Sequence, residues 1–182
     1  TVMIFGALLM CGALLQAQVP AVGPPVKLDL GLGGGLSSPV GDLSNFNSSG
    51  YHFGGKIRLH GFMPLSIIGT GRYNSLPDKA KANSESDTQT MIGVGLEYPF
   101  PSVMVQPYLS GEFIANIMKN VGSGTSSLTR YGTSVGGGVA FTIPAFGAID
   151  ASVSYQTFNL FGKENNETTA SQVSAAIMLV FS

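Results

Sequence analysis

The sequence predicts an all-β chain, an eight-stranded antiparallel up-and-down transmembrane β-barrel. Three observations carry this. Apolar and polar residues alternate with a period of two through most of the chain, the pattern of a half-buried strand. Past residue 25 no apolar run approaches the roughly 20 residues of a membrane helix. Charged residues make up 10% of the 182, against roughly 25% in an average soluble domain. There are 25 glycines, no tryptophan and one cysteine, so no intramolecular disulfide framework exists. The net charge of -1 leaves no basic excess to neutralise phosphates, so nucleic acid is excluded as a partner.

The first 17 residues, TVMIFGALLMCGALLQA, are uncharged and read as the apolar part of a secretory signal peptide, truncated at its start. Met10 before Cys11 argues against a lipoprotein signal. Residues 18–25, with Pro20, Gly23, Pro24 and Pro25, form an irregular lead-in. The barrel spans 26–182.

Strand one, 26–36, sets Val26, Leu28, Leu30 and Leu32 against Lys27 and Asp29. Its GLGGG would be a dinucleotide loop only with a helix after it, and LSSPVGDL follows instead. Strand two, 51–62, places Tyr51, Phe53, Ile57 and Leu59 on one face and His52, Lys56, Arg58 and His60 on the other. A helix is excluded there because Gly50, Gly54, Gly55 and Gly61 would each weaken it by about 1 kcal/mol relative to Ala. Strand three, 65–76, carries Arg72 and Tyr73. Strand four, 88–98, opposes Ile92, Val94, Leu96 and Tyr98 to Glu97. Strands five, 105–117, and six, 130–142, carry Glu112 and Arg130. Strand seven, 147–158, opposes Ile149, Val153 and Tyr155 to Asp150. Strand eight, 169–181, alternates Val173, Ala175, Ile177, Leu179 and Phe181.

The connections 37–50, 77–87, 118–129 and 159–168 are long and polar. Those at 63–64, 99–104 and 143–146 are short and hold Pro64, Pro99, Pro101 and Pro144. This alternation is that of outer-membrane barrels, with short periplasmic turns and longer outer loops, and puts both termini in the periplasm. Ten charges fall in the long loops. The nine strand charges, Lys27, Asp29, Lys56, Arg58, Arg72, Glu97, Glu112, Arg130 and Asp150, are five basic and four acidic. Their near balance is expected of charges enclosed together, because an unpaired buried charge costs several kcal/mol. They are expected to form a lumen charge network, with His52 and His60 also in the lumen. A first hairpin centred near 43–44 would set Asp29 across from Arg58. Leu28, Leu30, Ile57, Leu59, Val94, Leu96, Val153, Ile177, Leu179 and Phe181 are expected to face lipid. Tyr51, Tyr73, Tyr131 and Tyr155 at the loop ends and Tyr98, Phe100, Phe141, Phe146 and Phe181 at the turn ends form two aromatic girdles.

Chemistry is sparse. His52 and His60 lie about 26 Å apart along a strand at about 3.3 Å per residue, too far to share a metal. Ser48 or Ser49 near His52 is the one candidate nucleophile–base pair. Asp78, Glu85 and Asp87 read as solvated loop charges. No catalytic, cofactor or metal residue is expected.

With its LGLGGGLSSPVGDL at 30–43 and SQVSAAIMLVFS at 171–182, the chain resembles the small eight-stranded outer-membrane barrels, the OmpA-, OmpX- and OmpW-like, porin-family group. The ending is similar to the signal read by the barrel assembly machinery, with Ser182 added after the aromatic. The resemblance implies a bacterial outer-membrane location. It also implies outer-membrane lipid and lipopolysaccharide as surroundings, and a non-enzymatic role in envelope structure or surface interaction through four outer loops. The alternatives are a narrow pore or OmpW-like passage for small apolar molecules, and a soluble secreted ligand-binding barrel with its apolar face inside.

Overall fold

The computed structural model describes residues 26–62, 64–79, 86–102, 104–119, 127–144, 146–161 and 168–182. The expected signal peptide, 1–17, and lead-in, 18–25, lie outside them. Among the described residues eight strands occur: β1 (Lys27–Val40), β2 (Gly50–Phe62), β3 (Leu65–Pro77), β4 (Ser86–Pro99), β5 (Val105–Lys119), β6 (Ser127–Ile143), β7 (Gly147–Phe161) and β8 (Ser171–Phe181). Each pairs antiparallel with its neighbours in chain order, and β1 pairs with β8 to close the barrel. Closure satisfies every strand edge, which a sheet in lipid requires because no water is there to bond a free edge.

All eight expected strands are present, and most run further toward the loop end. β1 reaches Val40 and β5 reaches Lys119, so pairing extends past the apolar alternation that marked them. Asp87, expected in a loop, belongs to β4. The first long connection contains one turn of helix, α1 (Leu43–Phe46), preceded by Gly41 at φ 60°, a backbone conformation that glycine adopts without steric penalty.

The two faces separate as alternation demands. Leu30, Leu32, Leu36, Ile57, Ile92, Val94, Leu96, Leu109, Val135, Val153, Ile177 and Leu179 are exposed around the outside. Asp29, Arg58, Glu97, Glu112, Arg130 and Asp150 are buried inside. An apolar belt of this extent is far larger than the patches soluble monomers expose. It also excludes the soluble carrier, whose apolar face would line the interior. Exposed aromatics cluster toward the loop end, where Phe53 meets Tyr73 and Phe113 stacks on Tyr131. At the turn end Tyr98 meets Phe100 edge to face.

Candidate functional site: the lumen

The short turns mark one end of the lumen and the long loops the other. Near the turn end, β2, β4, β5 and β7 aim their inward side chains at a common centre. Arg58 Nε lies 2.6 Å from Glu97 Oε1, and Arg58 Nη2 donates to Glu97 Oε2 at 3.1 Å and to Asp150 Oδ2 at 3.0 Å. Lys56 Nζ is 2.6 Å from Glu97 Oε2 and 3.5 Å from Asp150 Oδ2. Two cations therefore meet two carboxylates, all shielded, and the group is charge-balanced within itself. Such balance is what makes burial of ions tolerable.

Tyr108 of β5 completes this group. Its hydroxyl donates to Asp150 Oδ1 at 2.5 Å, and its ring centroid lies 4.3 Å from Lys56 Nζ and 5.4 Å from the Arg58 guanidinium carbon. Both distances suit cation–π attraction. The ring fits because position 138 is glycine, where a Cβ would stand 2.6 Å from the Tyr108 hydroxyl.

The nine strand charges do not form one network. Asp29 Oδ2 accepts from His60 Nε2 at 2.8 Å, and His60 Nδ1 meets Ser66 Oγ at 2.9 Å. The register does pair Asp29 with Arg58, yet Arg58 Nη1 stays 3.9 Å from Asp29 and turns across the lumen. Lys27 is not enclosed, because its side chain is 60% exposed at the turn-end mouth, 3.6 Å from Asp29. Further toward the loops, Arg72 Nη2 lies 3.6 Å from Glu112 Oε1, and Thr70 donates to Glu112 Oε2. Gly93 leaves the space for that bond, as a Cβ there would be 2.6 Å from Thr70 Oγ1. Arg130 is buried on β6 beside Asn116 of β5.

His52 is buried against β1. Its Nδ1 meets Ser37 Oγ at 2.9 Å, and Ser37 Oγ also contacts Asn74 Oδ1 at 3.1 Å and Ser174 Oγ at 3.0 Å. Of the two candidate serines, Ser49 pairs its Oγ with Ser38 Oγ on the exposed side. Asp87 Oδ2 accepts from Asn47 Nδ2, Asp78 forms a bridge with Asn47, and Glu85 lies outside the described residues. Among the described residues no group of three potential ligands could hold a metal ion.

Between the two ionic groups is a cavity of about 20 Å³, lined by Lys56, Thr70, Arg72, Tyr108, Glu112 and Ser154, among others. That is room for about one water molecule.

Buried charges inside an apolar belt are the construction of a membrane barrel, and comparison with known proteins agrees. The family model described as "Outer membrane protein beta-barrel domain" matches residues 3–181. The chain belongs to this family. Among solved structures it is similar to Neisserial surface protein A, at 20% identity and TM-score 0.62, covering 86% of this chain and 99% of that one. It is similar to the N-terminal β-barrel domain of Pseudomonas aeruginosa OprF, at 15% identity and TM-score 0.55, covering 87% and 99%. It is also similar to the Yersinia pestis outer membrane protein Ail, at 15% identity and TM-score 0.51, covering 86% and 100%. At such identities the likeness concerns the fold. A search of the curated proteins finds no match.

Sequence reasoning missed three parts of this outer-membrane barrel's interior. Tyr108 was not singled out, although it shares its alternation phase with Glu112. The Ser37–Asn74–Ser174 contacts join β1, β3 and β8, which only closure brings together. An apolar cluster of Met91, Ile114 and Phe158 is buried inside, with Leu43, Met118 and Ala170 packed on it. Each of those three core residues shares the phase of a charged residue on its own strand, Glu97, Glu112 or Asp150, so the signal was present.

Proposed function

We propose that the chain is a non-enzymatic barrel of the bacterial outer membrane with a closed lumen and periplasmic termini. It acts in envelope structure or in surface interaction through its four outer loops. Outer-membrane lipid and lipopolysaccharide surround the belt, and the closing strand β8 is the segment offered to the barrel assembly machinery. The observation that carries the closed lumen is the Lys56–Arg58–Glu97–Asp150 group around Tyr108. Its contacts span the interior from β2 to β4, β5 and β7, and a solute would have to break several charge-assisted bonds at once. The inward apolar residues near the loops, and the burial of His52 and Ser37 away from any surface, favour a scaffold over a catalyst. Planar-bilayer recording of the refolded chain is the test. A closed lumen gives no steady conductance, whereas a reproducible single-channel step would establish a narrow pore in its place.

A further inference from the structure

The apolar cluster stands well away from the ionic group. Met91 is six residues nearer the loops than Glu97 on β4, and Ile114 is six residues nearer than Tyr108 on β5. Six residues are about 20 Å of strand. Phe158 projects from β7 to meet them, so the cluster reaches across the barrel from β4 and β5. The opposite side, on β1, β2 and β3, is closed by the hydrogen-bonded Ser37, His52 and Asn74. Phe158 and Ile114 have no solvent exposure, and neither do Ser37 and Asn74. Leu43 of α1 packs on the cluster from the first loop. The residues around α1 are fastened to the end of β3, through Ser48 N–H to Pro77 O at 2.8 Å and Lys79 N–H to Phe46 O at 2.8 Å.

We propose that this layer is a second seal, at the loop end, independent of the ionic seal at the turn end, so that opening either one alone leaves the barrel impermeable. This rests on the closed-lumen reading and adds the apolar layer to it. Apolar constrictions block ions and water by dewetting, without any charge. The stretch between the seals is mainly polar, with Arg72, Glu112 and Ser154 around the small cavity and Met178 beside them. That cavity, with room for about one water, lies between the two layers and touches Lys56 and Tyr108 of the ionic one.

The test uses the full chain, refolded, with Cys11→Ser and a reporter Ser134→Cys. Ser134 is buried between the seals opposite Glu112, and its hydroxyl has no protein partner, so the thiol removes no hydrogen bond. Labelling by a charged methanethiosulfonate is followed in detergent, and conductance in planar bilayers. Folding of each variant is checked by heat-modifiable gel migration. Phe158→Ala with Ile114→Ala should raise the labelling rate about tenfold or more without conductance, as expected when a dewetted constriction is removed. Arg58→Ala with Glu97→Ala, which keeps Lys56 and Asp150 in balance, should also label faster without conducting. The four substitutions together should conduct. If the double truncation does not fold, Phe158→Leu replaces it, with a rise of about threefold expected on the same ground. Unchanged labelling on opening the apolar layer, or steady conductance from the Arg58/Glu97 variant alone, overturns the second seal and leaves the closed lumen standing. Conductance from the unmodified chain overturns both.

Discussion

Arg58→Ala tests the ionic group most directly. The arginine is buried and touches both carboxylates of the group. Its removal leaves Glu97 and Asp150 facing one cation. Glu97 keeps Lys56 at 2.6 Å, so the residue left poorly compensated is Asp150, which retains the Tyr108 hydroxyl and Lys56 at 3.5 Å. Breaking a buried pair by deleting one partner costs about 3–5 kcal/mol. The surviving contacts of Asp150 place this case at the lower end, about 3 kcal/mol. Equilibrium urea unfolding in lipid vesicles, followed by circular dichroism and gel migration, reads the loss. Adding Asp150→Asn neutralises the stranded charge while keeping an acceptor for Tyr108, and should restore about 1–2 kcal/mol. Lys27→Ala is the control. Its exposed contact with Asp29 is screened by solvent and should be worth less than about 1 kcal/mol. A loss below about 1 kcal/mol for Arg58→Ala, or no recovery with Asp150→Asn, would refute the reasoning.

Further outcomes follow from the same geometry. Tyr108→Phe keeps the ring beside Lys56 and Arg58 and deletes the 2.5 Å bond to Asp150, so unfolding should show a loss of about 1.5–3 kcal/mol, the range for hydrogen bonds to charged groups. Gly138→Ala puts a methyl 2.6 Å from the Tyr108 hydroxyl and 2.5 Å from the Ala151 carbonyl oxygen. It should destabilise by about 1–3 kcal/mol through overpacking, with a loss smaller than about 0.5 kcal/mol counting against a tight ring pocket. Val94→Lys places a charge on the outward face, where Val94 is 58% exposed. In vesicles it should lose about 2–4 kcal/mol if it sits at the bilayer midplane, and an unchanged urea midpoint would mean that position 94 does not meet acyl chains.

How far the sequence could be read depended on what alternation encodes. A period of two assigns each side chain to a face; strands one and two carry two charges each, so Asp29 and Arg58 mark a face by agreement with a second charge, whereas the single charges Glu97 and Asp150 take theirs only from the apolar residues opposite. Alternation also makes neighbouring pairs estimable from hairpin length, and Asp29 does stand opposite Arg58 in the β1–β2 register. It carries no information about contacts across the lumen. Arg58 keeps only a 3.9 Å contact with its register partner, because closure brings β4 and β7 within reach, and Glu97 and Asp150 together offer it more than one carboxylate on the same hairpin could. The apolar layer was hidden for a different reason. Phe158 shares the phase of Asp150, but an aromatic near a strand end reads equally well as part of an interfacial girdle, and a bulge in the β6–β7 pairing between Tyr131 and Thr133 shifts the register beside it. α1 gave no signal because four residues cannot display a helical period. What alternation leaves unread is depth along the axis and the partner opposite, and in this barrel those two quantities distinguish an ionic seal near the turns from an apolar layer near the loops.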